Sequence, residues 1–482
     1  MINTYYSYSI LILISLFINN LAYILSEERK KILDEILGKQ RKLAKLHTFA
    51  LIVTNKNNTI FEGIYGEDKD INEKTPFVIG SVSKSFTALA LLKLGVEINK
   101  TLDQFDLKEY IDEEDAKKIT IAELLHHTSG LQSFGRHIIY QKGKHSYSNY
   151  GYALLGKIIE SKCKKAYHEC MKELIFNPLG MTNTNAKYHK GIVQSYNNFF
   201  GFRTKNTGIK SEIENDDGFF IPAGFISSTI EDMGKYLRLY LNIDNEEYKD
   251  FSKYVKQMIV SGVEIDYKFG YGMGLFIKSK NNKTIYEHSG GTRSFLCQLD
   301  VYPDDGVAFF GITNTADLIC LGPTEDLVRN IENFLINDYH EGISDSLFFF
   351  IHFTIDIIIL IIIAIPLTYL IITIIRKIKK KEYIWFKGIK GKIIFGVEIF
   401  ILIILPIIII IVLYTADPDI TYMIDNLKDA QFVLFTSASA LFMTFIIKLV
   451  YIFIYNKYCK KERPLSNSES NDYDLNIIDN EN

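Results

Sequence analysis

Apolar and polar positions along this chain follow a period of 3.6, a period of two, or no period at all, and each pattern marks a different region. Tyr5 to Leu25 is apolar and runs into Ser26-Glu-Glu-Arg-Lys-Lys, so residues 1–26 read as a signal peptide or N-terminal anchor. Glu27 to Leu46 spaces its apolar residues as an amphipathic helix does. Phe49–Thr54 and Thr59–Gly66 then predict two strands joined by an Asn/Lys-rich hairpin turn. Phe77 to Leu92 predicts a short apolar lead-in, a Gly-Ser turn and a helix apolar on nearly every face. Such a helix belongs inside a domain.

A second helix, Ile121 to His127, stops at Thr128-Ser-Gly130, where Gly130 is expected to take the left-handed cap. His126 and His127 fit there as cations near a helix C-terminus better than as metal ligands. Tyr147-Ser-Asn opens another helix. Residues 190–220 show no clear period and predict an irregular lobe that could cover a site. Pro222-Ala-Gly leads into a helix from Ile230 to Leu241. From Phe269 the period is two, with strands Tyr271–Ile277, Thr284–Ser289, Ser294–Tyr302 and Val307–Thr313. The turns Lys280-Asn-Asn-Lys and Pro303-Asp-Asp-Gly306 make this an antiparallel meander. A helix from Pro323 to Ile336 closes the region 27–345.

Beyond it, residues 347–375, 393–413 and 432–454 are each apolar over a length that spans a bilayer, within a segment 346–457. The loop between the first two carries Arg376, Lys377, Lys379, Lys380, Lys381, Lys387, Lys390 and Lys392, whereas the next holds mainly aspartates. Basic loops stay cytoplasmic. The expectation is a multi-pass protein of the cell membrane, with the lipid bilayer as partner. Residues 27–345 would lie outside and the polar tail 458–482 inside.

Of 482 residues, Lys and Arg number 54 and Asp and Glu 57, a net charge of −3 that gives no reason to expect nucleic acid as a partner. The five cysteines form no Cys-x-x-Cys pair, so metal and thioredoxin readings are poor. Cys163, Cys170, Cys297 and Cys320 fall in the expected exported part, where a disulfide is possible but no pairing can be deduced.

Ser81 and Lys84 stand three apart at the start of the buried helix, on one face and within reach of each other. Burial favours a neutral lysine, which can take a proton from a serine hydroxyl, and the helix N-terminus offers N–H groups to an oxyanion. The spacing alone is weak, since Ser161 to Lys164 repeats it in what reads as a solvated turn. Tyr147-x-Asn149 and His288-Ser289-Gly290 supply the remaining parts of acyl transfer. Each is repeated elsewhere, at Tyr240–Asn242 and His340–Gly342. Position separates them, because Tyr147 precedes a helix and His288 ends an inner strand whose glycines admit a substrate backbone.

Taken in order, Gly80-Ser-Val-Ser-Lys-Ser-Phe-Thr-Ala, Ile119 to Leu131, Tyr147-Ser-Asn-Tyr-Gly-Tyr, Pro178-Leu-Gly-Met-Thr, Pro222-Ala-Gly and Glu287-His-Ser-Gly-Gly-Thr closely resemble the serine β-lactamase and penicillin-binding-protein superfamily. The likeness lies on its class C, DD-peptidase and esterase side and covers roughly residues 45 to 340. It implies an α+β fold, with an antiparallel sheet flanked by helices, an all-helical lobe, and the site between them. It also implies Ser81 as the acylated nucleophile, and Lys84 and Tyr147 as sharers of the acid–base work. Asn149 would steady Lys84 and the substrate amide, and the Ser81 and Gly291 amides would form the oxyanion hole. His288, Ser289, Gly290 and Gly291 would line the substrate.

His288 departs from the lysine that opens this motif in β-lactamases and many DD-peptidases. A neutral histidine holds a substrate carboxylate less well, which points toward the esterases and peptidases with His-x-Gly. Arg293 is a candidate for the missing charge. The expected substrate is a small molecule or peptide, cell-wall or D-amino-acid derived, with no metal or organic cofactor. Alternatives are a penicillin-binding sensor acylated without turnover, a true class C β-lactamase, and a dead scaffold beneath functional membrane helices.

Overall fold

The computed structural model describes residues 27–199, 202–260, 262–316 and 321–337, and shorter stretches between 357 and 450. Helix α1 (Glu27–Leu43) leads into the hairpin β1 (Thr48–Asn55) and β2 (Thr59–Gly66). The short strand β3 (Phe77–Val78) and a single 3₁₀ turn, Gly80–Val82, deliver the chain to α2 (Ser83–Lys93). Next come α3 (Ile121–Leu125) and α4 (Asn149–Cys163), then the hairpin β4 (Ser195–Phe199) and β5 (Phe202–Asn206). Strand β6 (Ser227–Ser228) pairs with β3 and precedes α5 (Ile230–Leu241). The meander consists of β7 (Val263–Asp266), β8 (Phe269–Tyr271), β9 (Phe276–Lys280), β10 (Lys283–Gly291), β11 (Leu296–Tyr302) and β12 (Val307–Thr313). Strand β13 (Thr315–Ala316) and α6 (Leu321–Asn337) are the next described elements.

One eight-stranded antiparallel sheet, in the order β2-β1-β12-β11-β10-β9-β8-β7, separates two apolar cores. Strand β1 is buried on both faces, which is why Thr48–Asn55 reads as continuously apolar rather than alternating. Ala50 and Ile52 join the larger core with α2, α4 and α5, and Phe49, Leu51 and Val53 join the smaller one with α1 and α6. Helix α2 lies inside the larger core, buried at every position from Ser83 to Leu92. An antiparallel sheet flanked by helices is the expected fold class.

Four expectations change. Tyr271–Ile277 is two strands, because Gly274 at φ +83° turns the chain between them, where a Cβ would strike the backbone of Ser85. Residues 190–220 are not irregular throughout. They contain the β4–β5 hairpin, which β13 extends in parallel. Helix α3 ends at Leu125, and the left-handed residue after it is His127 (φ +57°), with Gly130 (φ +77°) shaping the next turn. His126 and His127 are not cations, for burial lowers both and His127 is fully enclosed. Cys163 and Cys170 form a disulfide at the end of α4, a pairing the sequence could not supply.

A second unit takes in residues 359–412 and 432–482, in which 364–373 and 436–447 are helical. Among the described residues no helix is long and apolar enough to cross a membrane. The expected spans 347–375 and 393–413 lie largely outside the described residues, 432–454 is described over 436–447 and at 450, and segment 1–26 and tail 458–482 lie wholly outside.

Candidate active site

Ser81 owes its position to glycines. Gly80 takes φ +52°, and a Cβ there would run into the Gly291 amide nitrogen and the Gly290 carbonyl carbon. A Cβ on Gly290 would strike the carbonyl of Ile79. With no side chains between them, the turn carrying Ser81 lies directly against the end of β10. The amides of Ser81 and Gly291, expected to hold an oxyanion, therefore belong to abutting segments. Ser81 stays partly exposed while the residues after it are buried.

Lys84 is completely buried. Its Nζ lies 3.0 Å from Ser81 Oγ, 2.7 Å from Asn149 Oδ1 and 2.6 Å from the Ala223 carbonyl. Burial lowers its pKa well below the ordinary lysine value, and no carboxylate among the described residues pairs with it. A neutral amine has two N–H bonds and one lone pair. The Ala223 carbonyl and Asn149 Oδ1 can only accept, so they take the two N–H bonds and leave the lone pair for the Ser81 hydroxyl. The contact set thus matches a base poised on a serine, with the third partner as its proton source.

Asn149 begins α4, and the Ser148 side chain caps that helix by accepting from the Gly151 amide at 3.0 Å. The Asn149 amide nitrogen donates to Ser133 Oγ at 3.0 Å, which fixes the carboxamide with its oxygen toward Lys84. Tyr147 stands two residues before the helix, its ring centroid 4.7 Å from Lys84 Nζ. Its hydroxyl is buried and has no hydrogen-bond partner. Burial raises the phenol above its ordinary range and the nearby Ser81 hydroxyl offsets this in part, so the phenol keeps its proton at neutral pH.

His288 is buried among aromatic rings. Its Nδ1 lies 2.6 Å from the Ser289 carbonyl and must carry the proton, leaving Nε2 to accept from the Tyr271 hydroxyl at 3.4 Å. Burial, then the proximity of Lys84, takes its pKa from 6.5 down to about 3, so it is neutral. Ser289 opposes Gln298 and shares a cleft with Gln298 and Asp300, on the strand face opposite His288. Arg293 is exposed in the turn after β10, where its carbonyl accepts from the Asn197 side chain at 2.6 Å.

The structure therefore gathers Ser81, Lys84, Tyr147 and Asn149 around one amine, sets Gly290 and Gly291 against the Ser81 turn, places His288 beside Tyr147 (ring centroids 6.2 Å apart), and leaves Ser289 and Arg293 outside that group. Sequence reasoning missed the Ala223 carbonyl, although Pro222-Ala-Gly was singled out, and it missed Ser133. A backbone carbonyl has no residue-type signal. Among the described residues, no group of three or more His, Cys, Asp or Glu could hold a metal ion.

Residues 33–322 match the family model described as Beta-lactamase. Beta-lactamase-like protein 4 of Dictyostelium discoideum is 25% identical over 308 residues, which is 53% of this chain and 54% of that protein. Protein flp of Staphylococcus aureus (strain MRSA252) is 25% identical over 307 residues, 56% of this chain and 59% of its own. The chain thus spans little more than half the length of these relatives. The octameric penicillin-binding protein homologue from Pyrococcus abyssi aligns with a TM-score of 0.54 and 20% identity, over 64% of this chain and 77% of that one, a likeness of fold.

Proposed function

This chain belongs to the beta-lactamase family, whose members are generally serine hydrolases, and from that premise we propose that it cleaves an amide or ester through an acyl-enzyme on Ser81. The observation that carries the reading is the amine of Lys84, buried without a counter-ion and bonded to Ser81 Oγ, with its N–H bonds taken by Asn149 and Ala223. Lys84 takes the Ser81 proton as Oγ bonds to the substrate carbonyl carbon. The resulting oxyanion is held by the Ser81 and Gly291 amides. Tyr147, which keeps its proton, protonates the departing amine or alcohol and is reprotonated from Lys84. Water then repeats the sequence on the acyl-enzyme, and no group from outside the chain is needed.

The preferred substrate is a D-amino-acid derivative of the cell wall or of a small exported compound. The neutral His288 favours an ester, or an amide lacking a charged anchor, over a β-lactam carboxylate. The domain works outside the cell, held by the apolar C-terminal segments in the bilayer. The Cys163–Cys170 disulfide supports an oxidising compartment.

The test uses full-length protein and its Ser81→Ala variant, labelled with a fluorophosphonate and with fluorescent penicillin. Label on the wild type alone, followed by release, is expected. Persistent label would make the protein an acylated sensor, and absence of both labels would overturn the nucleophile assignment. D-alanyl esters, D-Ala-D-Ala peptides, N-acyl-D-Asn amides and nitrocefin then separate the substrate classes.

A further inference from the structure

His127 combines three features that packing alone does not explain. It adopts φ +57°, a left-handed conformation that strains a residue with a Cβ and that glycine or asparagine takes far more readily. It is completely buried, yet its Nε2 has no hydrogen-bond partner. Its carbonyl and its Nδ1 grip the chain on either side of Tyr147. The His127 carbonyl accepts from the Ser146 amide at 2.7 Å, and its Nδ1 accepts from the Ser148 amide at 3.1 Å. Between those two bonds, the rings of His127 and Tyr147 lie 4.2 Å apart at 38°.

The Ser148 amide is a fixed donor, so Nδ1 must be the acceptor and the ring proton must sit on the unpartnered Nε2. A strained backbone together with an unpaired buried N–H is unfavourable. Both follow from the same requirement. The left-handed turn after α3 aims one residue's carbonyl and ring nitrogen at two amides that flank a third residue. An aliphatic or phenyl side chain offers no acceptor there, and glycine offers the turn without the ring.

We infer that His127 is a positioning residue for Tyr147, clamping residues 146 and 148 so that the phenol is held over Lys84 and next to Ser81. The assignment rests on the proposed acyl transfer for its kinetic consequences, but the clamp itself is a matter of structure and can be read without turnover. Ser148 also caps α4, but through its Oγ, a bond separate from the one its amide makes to His127. His127 touches no reacting atom and acts through Tyr147.

The experiment compares His127→Asn, His127→Phe, Tyr147→Phe and the double variant His127→Phe/Tyr147→Phe in the full-length chain. Asparagine tolerates the left-handed turn and offers an oxygen near the position of Nδ1, so His127→Asn is expected to keep most of the activity. His127→Phe is expected to lower kcat about 100-fold with little change in KM, the scale set by small misplacements of a reacting group. The double variant is expected to be no slower than Tyr147→Phe alone, because the clamp serves only that phenol. Hydrogen exchange followed by mass spectrometry should show peptides spanning 144–150 losing protection in His127→Phe and keeping it in His127→Asn. Losses that multiply in the double variant, or unchanged protection at 144–150 in a folded His127→Phe, would overturn the assignment. A wild type inert toward every ester and amide would instead sink the proposed reaction and leave the exchange result to decide the clamp.

Discussion

Two clusters of buried titratable groups flank strand β10 and differ in what surrounds them. On one face burial lowers the Lys84 amine well below its ordinary value, and its Nζ contacts a partly exposed serine, Asn149 and the Ala223 carbonyl. On the other, Asp300 and Glu332 face each other beneath α6 at the base of a cleft of about 590 Å³ that Ser289 also lines. Burial and mutual repulsion raise the Asp300 carboxyl, and burial raises that of Glu332, while Gln298 and Tyr302 donate to them at 2.8 and 2.9 Å. Both clusters shift pKa values strongly. Only the first sets an amine on a hydroxyl and brings two abutting backbone segments against it. A perturbed group is therefore a pointer to chemistry only where geometry supplies something for it to act on.

The strongest way to break the contrast is to remove each cluster's central titratable group. Lys84→Met should lower kcat/KM by about 10²–10⁴-fold, the usual contribution of a positioned acid–base group. Glu332→Gln should leave kcat/KM unchanged. Steady-state hydrolysis of a nitrophenyl ester measures both, and comparable losses in the two variants would erase the distinction.

A second contrast lies in the direction of pH dependence. His288 is held at about 3 against an ordinary 6.5, so the unfolded chain takes up a proton that the folded one refuses between those values. Its contribution to stability is intact above 6.5 and is lost as pH falls toward 3. Asp300 and Glu332 are raised instead, so their contribution is intact below the ordinary carboxylate range and declines as pH rises through their folded values. Thermal melts from pH 3 to 9 should show His288→Gln flattening the acid side and Glu332→Gln the alkaline side. A reversal of those sides would contradict the assigned directions.

The smallest effect is expected at Arg293. If its exposed guanidinium anchors an anionic substrate group, Arg293→Ala should slow acidic substrates by no more than about fivefold, the scale of an exposed ion pair, and spare neutral ones. Equal losses on both classes would remove Arg293 from substrate binding.

How much of this was legible depended on whether a role belongs to a side-chain type or to a backbone. Ser81 and Lys84 could be paired from their spacing, since three residues of helix bring side chains together. Tyr147 and Asn149 lie 66 and 68 positions from Ser81, and only motif order connected them. The Ala223 carbonyl had no signal, because any residue carries one. Gly274 could have announced the break in Tyr271–Ile277, but the alternating apolar pattern on either side outweighed it. The turn at His127 was hidden for the opposite reason, since a histidine stands where glycine was expected. It was found instead at Gly130, three positions on.

Helices α1 and α6 share the smaller core, and Arg29 donates to the Phe334 carbonyl at 2.8 Å with its guanidinium 5.0 Å from the Phe334 ring. The first and last described helices of this unit thus pack side by side. A short linker from residue 337 to residue 27 would close this unit into a ring, with new termini at the exposed Lys56-Asn57-Asn58 turn.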